Sequence, residues 1–183
     1  MKLHNLAFID TETTGTDADK HEIIELAVII ARQVPREGRG PKLEIIEELE
    51  WKIKPQHLEL ADEEALRING YNETDWMFAL DLKPVMEQFA KKVQSCTFVS
   101  HNVTFDYAFV QKAFEKTGVE NNMHYAKLDT ISIALARLYD APQADKFSLR
   151  ALCELLKIEN SKAHTALADT RALVAVYKKL MSA

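Results

Sequence analysis

Residues 8–15 read "FIDTETTG": the apolar run Leu6-Ala7-Phe8-Ile9 passes straight into Asp10 and Glu12, two carboxylates separated by a single threonine. Residues two apart on a strand project from the same face, so these acids repel each other unless something positive lies between them. They stand at the carboxyl end of the expected strand, which is where open α/β sheets usually bind ligands. A polar strand terminus running into a glycine-containing turn explains a lone D-x-E just as well, so the rest of the chain has to decide.

Outward from this segment, residues 3–10 read as one strand and 22–34 as a second. Ile23, Ile24, Leu26, Val28, Ile29 and Ile30 are apolar on both faces of the second, as in a central strand covered on both sides. "PREGRGPK" (35–42) is expected to be a polar loop, and 43–53 to resume as a strand, which together give an antiparallel meander. From residue 61 the apolar period changes to 3.6. "ADEEALRING" (61–70) puts acids in its first turn and Gly70 where a helix stops. Further helices are expected over 84–93, 104–116, 131–138, 148–156 and 165–181, with short strands at 96–100 and 127–130. Three strands in a row, followed by strands alternating with helices, imply an α/β fold. We expect a single domain over 1–183, built on a mixed five-stranded sheet flanked by helices.

Two more acids change the weight of the first pair. In "SHNVTFD" (100–106), Asp106 falls in the opening turn of a helix that follows a short apolar strand. The helix dipole alone would favour a carboxylate there. In "HTALAD" (164–169), His164 and Asp169 are five residues apart and would diverge by roughly 140° on a regular helix. His164 is therefore placed in the turn before the helix and Asp169 on its inner side, beside the stripe Ala166, Leu173, Val176, Tyr177 and Leu180. An acid on the core side of a helix is costly unless it is paired, hydrogen-bonded or bound to a metal. Four carboxylates of this kind suit hard cations such as Mg²⁺ or Mn²⁺ rather than zinc.

"DTETTG", "HNVTFD" and "HTALAD", in this order, resemble the three motifs of the DEDD exonuclease superfamily. The histidine five residues before the last aspartate resembles the DEDDh branch, which includes the proofreading epsilon subunit of bacterial DNA polymerase III and ribonuclease T. The resemblance implies a ribonuclease H-like fold and 3′–5′ exonuclease activity that releases nucleoside 5′-monophosphates. It implies two Mg²⁺ per site, held by Asp10, Glu12, Asp106 and Asp169 and replaceable by Mn²⁺, with His164 as general base. It further implies contacts to the terminal nucleotide from Thr13, Thr14, Gly15, Leu66 and Asn102. The expected partner is the 3′ end of single-stranded or frayed nucleic acid, DNA in preference to RNA. An RNA-trimming enzyme and a non-catalytic binding module on the same fold are the alternatives. A polymerase or repair complex is a further possible partner, although only two residues follow Met181, where epsilon-type subunits carry a tail that joins their polymerase.

The formal net charge of −5 looks adverse for a phosphate-binding protein. Setting four metal-ligating acids aside from the 28 leaves 24 against 23 Lys and Arg, close to neutrality. No apolar run is long enough to cross a bilayer and the amino terminus has no signal-peptide pattern, so the cytoplasm is the expected location. Cys96 and Cys153 form no zinc or disulfide pattern and read as small core residues. His4, His21, His57 and His124 read as surface residues, His101 as a neighbour of the site or a strand-end cap, and Glu25 as an acid beside the site or a salt-bridged strand residue.

Overall fold

The computed structural model describes residues 4–37, 39–141, 143–159 and 165–182. Its centre is a five-stranded sheet of order β3-β2-β1-β4-β5, made of β1 (Leu6–Thr13), β2 (Ile23–Arg36), β3 (Arg39–Lys52), β4 (Thr97–Ser100) and β5 (Lys127–Asp129). β1 pairs antiparallel with β2, and β2 with β3, while β4 runs parallel to β1 and β5 parallel to β4. The expected mixed sheet, with three antiparallel strands followed by parallel ones, is the one observed. Among the described residues six α-helices flank it: α1 (Glu63–Asn69), α2 (Leu82–Lys92), α3 (Val103–Thr117), α4 (Thr130–Arg137), α5 (Leu149–Leu156) and α6 (Ala166–Ser182). Among the described residues, no helix is long and apolar enough to cross a membrane.

Strand alternation sorts the core into two layers. Ala7 and Ile9 of β1, with Leu26, Val28 and Ile30 of β2, pack against Val85, Met86 and Phe89 of α2 and Phe109, Val110 and Phe114 of α3. Leu6 and Phe8, with Ile29 and Ala31, face Leu173, Val174 and Tyr177 of α6. α4 and α5 extend this second layer through Ala134, Leu152 and Cys153. The first nine residues of β2 are all buried, as two-sided hydrophobicity requires. Cys96 and Cys153 are both buried and unpaired.

Two expectations need correction. β1 does not stop at Asp10 but runs on to Thr13, so Asp10 and Glu12 lie within the ladder, opposite Ala27 and Glu25. Residues 35–42 are mostly strand: β2 and β3 extend into a long hairpin in which Val34 pairs with Lys42 and Arg36 with Arg39. Pro35 is tolerated because the register shifts between Val34 and Arg36 and the proline sits in that irregularity, where no ladder hydrogen bond is asked of it.

Candidate active site

The alternation that sorts the core also sorts the acids. Asp10 and Glu12 continue the Leu6–Phe8 row and so face α6, which brings Asp169 down upon them. One carboxylate oxygen from each of Asp10, Glu12 and Asp169 lies within 4.8 Å of the other two. Asp106 comes from α3, on the other layer, and is not part of that group. Its carboxylate is buried at the sheet end, where Oδ1 accepts the Thr11 N–H (3.0 Å) and the Thr11 hydroxyl (2.8 Å). Oδ2 accepts the Ser100 hydroxyl. Thr11 is the residue of D-T-E that points away from α6, so the middle of the motif holds the third motif acid while its ends form the cluster. His164 lies outside the described residues.

The electrostatics are those of acids forced together. Burial, followed by the charges of Asp106, Glu12, Asp169 and Glu25, lifts the Asp10 carboxyl well above the usual carboxylate range. Burial and the charges of Asp169, Glu25 and Asp106 push Glu12 up to about 8. At Asp106 burial raises the pKa, and the Ser100 and Thr11 hydrogen bonds partly offset it. Near neutral pH this constellation holds protons it would release to a cation. All of its donors are carboxylate oxygens, the ligand set of a hard divalent ion, and these residues fit such an ion.

Supporting residues that the sequence did not reveal are Thr11, Ser100 and Asp129. Asp129 Oδ1 accepts the N–H groups of Asn102 (3.0 Å) and Val103 (3.2 Å) at the start of α3. Its Oδ2 accepts the N–H (2.9 Å) and hydroxyl (2.6 Å) of Ser132 in α4. One side chain thus caps two helices and fixes the turn that delivers Asp106. An acid that ends a strand and precedes a helix was the available signal. Asp129→Ala should lower stability by about 2–3 kcal/mol, the worth of two caps, read as a shifted urea midpoint with unchanged slope.

The residues expected to touch substrate are engaged in building the turn after β1. Thr13, Thr14 and Gly15 are buried. The Thr13 hydroxyl donates to the Gly15 carbonyl (2.6 Å), and the Thr14 hydroxyl accepts the Glu22 N–H (2.9 Å). Asn69 Nδ2 donates to the Thr13 carbonyl (3.0 Å), tying α1 to β1, with Leu66 half-buried on the same helix. A Cβ on Gly15 would come within 2.5 Å of the His21 ring and 2.6 Å of Asp62, so the glycine is required by packing. His21 is accordingly buried, contrary to expectation, with Nδ1 accepting the Asp17 N–H (3.0 Å). Asn102 is exposed in the left-handed region (φ 65°), and its side-chain oxygen accepts the Thr104 hydroxyl (2.9 Å). His101 bonds to the Thr130 hydroxyl and the Phe147 carbonyl, both at 2.9 Å, which binds the end of β4 to α4 and to the segment before α5. Beside the amino end of α3 lies an open cavity of about 410 Å³, lined by Thr16, Asp17, Asn102, Phe105 and Phe109 among others.

Comparison with known proteins agrees with this geometry. Residues 7–177 match a family described as Exonuclease, of the RNase T type. The chain is 31% identical over 179 residues to the DNA polymerase III subunit epsilon of Pasteurella multocida (strain Pm70), covering 92% of this chain and 65% of that protein. It is also 31% identical over 176 residues to the ribonuclease T of Haemophilus influenzae (strain 86-028NP), covering 88% of this chain and 72% of the relative. The chain thus spans a little under two thirds of that epsilon subunit, and 10% of the PolC-type DNA polymerase III of Bacillus cereus that it also matches. Escherichia coli exonuclease I, solved with a dT13 oligonucleotide, superposes with a TM-score of 0.78 at 21% identity, covering 96% of this chain and 40% of that one. That likeness shows a shared ribonuclease H-like fold. With the family match spanning β1 to α6 and three of its acids gathered on one sheet face, the chain belongs to the exonuclease family.

Proposed function

We propose that the chain is a metal-dependent 3′–5′ exonuclease that hydrolyses the terminal phosphodiester of single-stranded or frayed nucleic acid. The observation that carries this reading is the convergence of Asp10, Glu12 and Asp169 within 4.8 Å in a chain of the exonuclease family. Asp10, Glu12 and Asp169 would hold divalent ions, Mg²⁺ or Mn²⁺, with Asp106 completing the set from the α3 side. When bound, two such ions lower the pKa of water and carry the charge that develops on the departing 3′ oxygen. His164, just ahead of α6, takes the proton of the attacking water, a role suited to an imidazole with a pKa near neutrality. The new P–O bond forms as the bond to the 3′ oxygen breaks, giving a nucleoside 5′-monophosphate and a strand one unit shorter. The cavity beside Asn102 has the size and mixed polar and aromatic walls to take the terminal nucleotide, with the partly buried Phe105 available to its base. Thr13, Thr14, Gly15 and Leu66 would reach the terminal nucleotide from the turn after β1 and from α1.

The test is purified protein with Mg²⁺ on 5′-labelled single-stranded DNA, frayed duplex and short RNA. A ladder shortening from the 3′ end, abolished by a chelator, is the expected result. DNA is the expected preference. The similarity to ribonuclease T supports the second reading, RNA trimming, which faster shortening of the RNA would favour. Tight strand binding with no shortening in any metal would mark a non-catalytic binding module. His164→Ala should lower the rate by about 10²–10⁴-fold with metal binding intact, and persistence of the full rate would remove the base assignment. A polymerase or repair complex is the class of partner such an activity would serve.

A further inference from the structure

On the α6 face of the sheet two further acids lie beside the cluster: Glu25 on β2, opposite Glu12, and Glu50 on β3, in register with Asp10 through Ala27. Glu25 lies directly opposite Glu12 in the ladder and is 3% exposed. Its Oε2 accepts the N–H of Ala166 (3.2 Å), the first residue of α6. Glu50 Oε1 accepts the N–H of Leu167 (3.1 Å), and the Thr165 hydroxyl takes the N–H of Ala168 (3.4 Å). The three leading amides of α6, which no intrahelical carbonyl can satisfy, are thus met in turn by two strand carboxylates and one local hydroxyl. Glu25 is itself braced by Lys52, whose ammonium is 3.7 Å from Oε1 and stands over the Trp76 ring at 3.8 Å. Trp76 is anchored in turn by its indole N–H on the Ile24 carbonyl (3.1 Å).

The position of Glu25 links two parts of the acid cluster. Its backbone is paired with Glu12, and its carboxylate grips the helix on which Asp169 stands three residues later. A buried negative charge next to Asp10 and Glu12 is costly for the fold, and an uncharged acceptor would satisfy Ala166 equally well. Resting on the metal-site reading above, we infer that Glu25 is a positioning residue: it sets the height of the amino end of α6 over β1, and thereby the distance at which Asp169 meets Glu12 around a cation. In this account the reach of its side chain matters more than its charge.

Two conservative variants separate reach from charge. Glu25→Gln keeps the acceptor at the Ala166 N–H and drops the charge, whereas Glu25→Asp keeps the charge and falls one methylene short. Mn²⁺ affinity is read by calorimetry or by the loss of the free-ion electron paramagnetic resonance signal, without nucleic acid. Glu25→Gln should bind within about threefold of wild type. Glu25→Asp should bind about tenfold or more weakly, as expected for a lost contact that orients a ligand. Amide exchange at Ala166 to Asp169 should rise in the Asp variant only. The reverse order of affinities would make Glu25 a charge or a direct ligand and overturn the inference, as would three equal affinities. Should the wild-type protein itself bind no Mn²⁺, the metal-site reading would fall and this inference with it.

Discussion

Asp10→Asn should reduce the exonuclease rate by roughly a thousandfold while leaving the fold intact. The carboxylate is surrounded by Asp106, Glu12 and Asp169, whose charges follow burial as the causes of its raised pKa. In the function proposed above, its value is therefore as a ligand and not as a charge the fold needs. A divalent ion contributes several kcal/mol of transition-state stabilisation, and at about 1.4 kcal/mol per factor of ten its misplacement costs about three orders of magnitude. Steady-state rates on a 5′-labelled single strand at saturating Mg²⁺ check this, with circular dichroism confirming the fold. A loss under tenfold would remove Asp10 from the ligand set.

The second large effect runs in the opposite direction, on stability. The folded-state pKa of Glu12 is about 8 against an ordinary 4.5. A raised carboxyl pKa means the fold favours the protonated form. Its contribution is fully present below about pH 4.5 and is lost as pH rises through 8. In metal-free protein the loss is on the order of 4 kcal/mol, or roughly 10 °C in Tm. Glu12→Gln cannot ionise, so its Tm advantage over wild type should be near zero at pH 4.5 and grow towards pH 8. Saturating Mg²⁺ should reverse the ranking by stabilising only the protein that can hold it. Paired melting curves across that pH range, with chelator and with Mg²⁺, read both signs. A flat difference would mean that the acids are not in conflict.

The sheet and its helices were legible because β2 and the amphipathic helices follow hydrophobic periods without interruption, and the acids stood out because an apolar strand runs into D-T-E while Asp106 and Asp169 fall in the first turns of helices. Less visible was how the layers divide them. Alternation along β1 sends Asp10 and Glu12 to α6 and Thr11 to α3, so Asp106 is held by Thr11 and Ser100 and not within the tight group of three. That division depends on which helix covers which face, which no single segment encodes. The hairpin over residues 35–42 was read as a loop because prolines and glycines dominate it, although a register shift admits Pro35 to a strand. His21 was read as exposed because its burial depends on a space left by Gly15, six residues earlier. Asp129, Glu25 and Glu50 act through helix amides distant in sequence, a relation visible only once the chain is folded.

Whether the three carboxylates hold divalent ions is decided by anomalous diffraction from crystals grown with Mn²⁺. Anomalous density is expected for two ions, roughly 3.5–4 Å apart, contacted by the carboxylates of Asp10, Glu12 and Asp169. Crystals saturated with Mn²⁺ that show no ion against these three side chains, or one held elsewhere on the molecule, would contradict it.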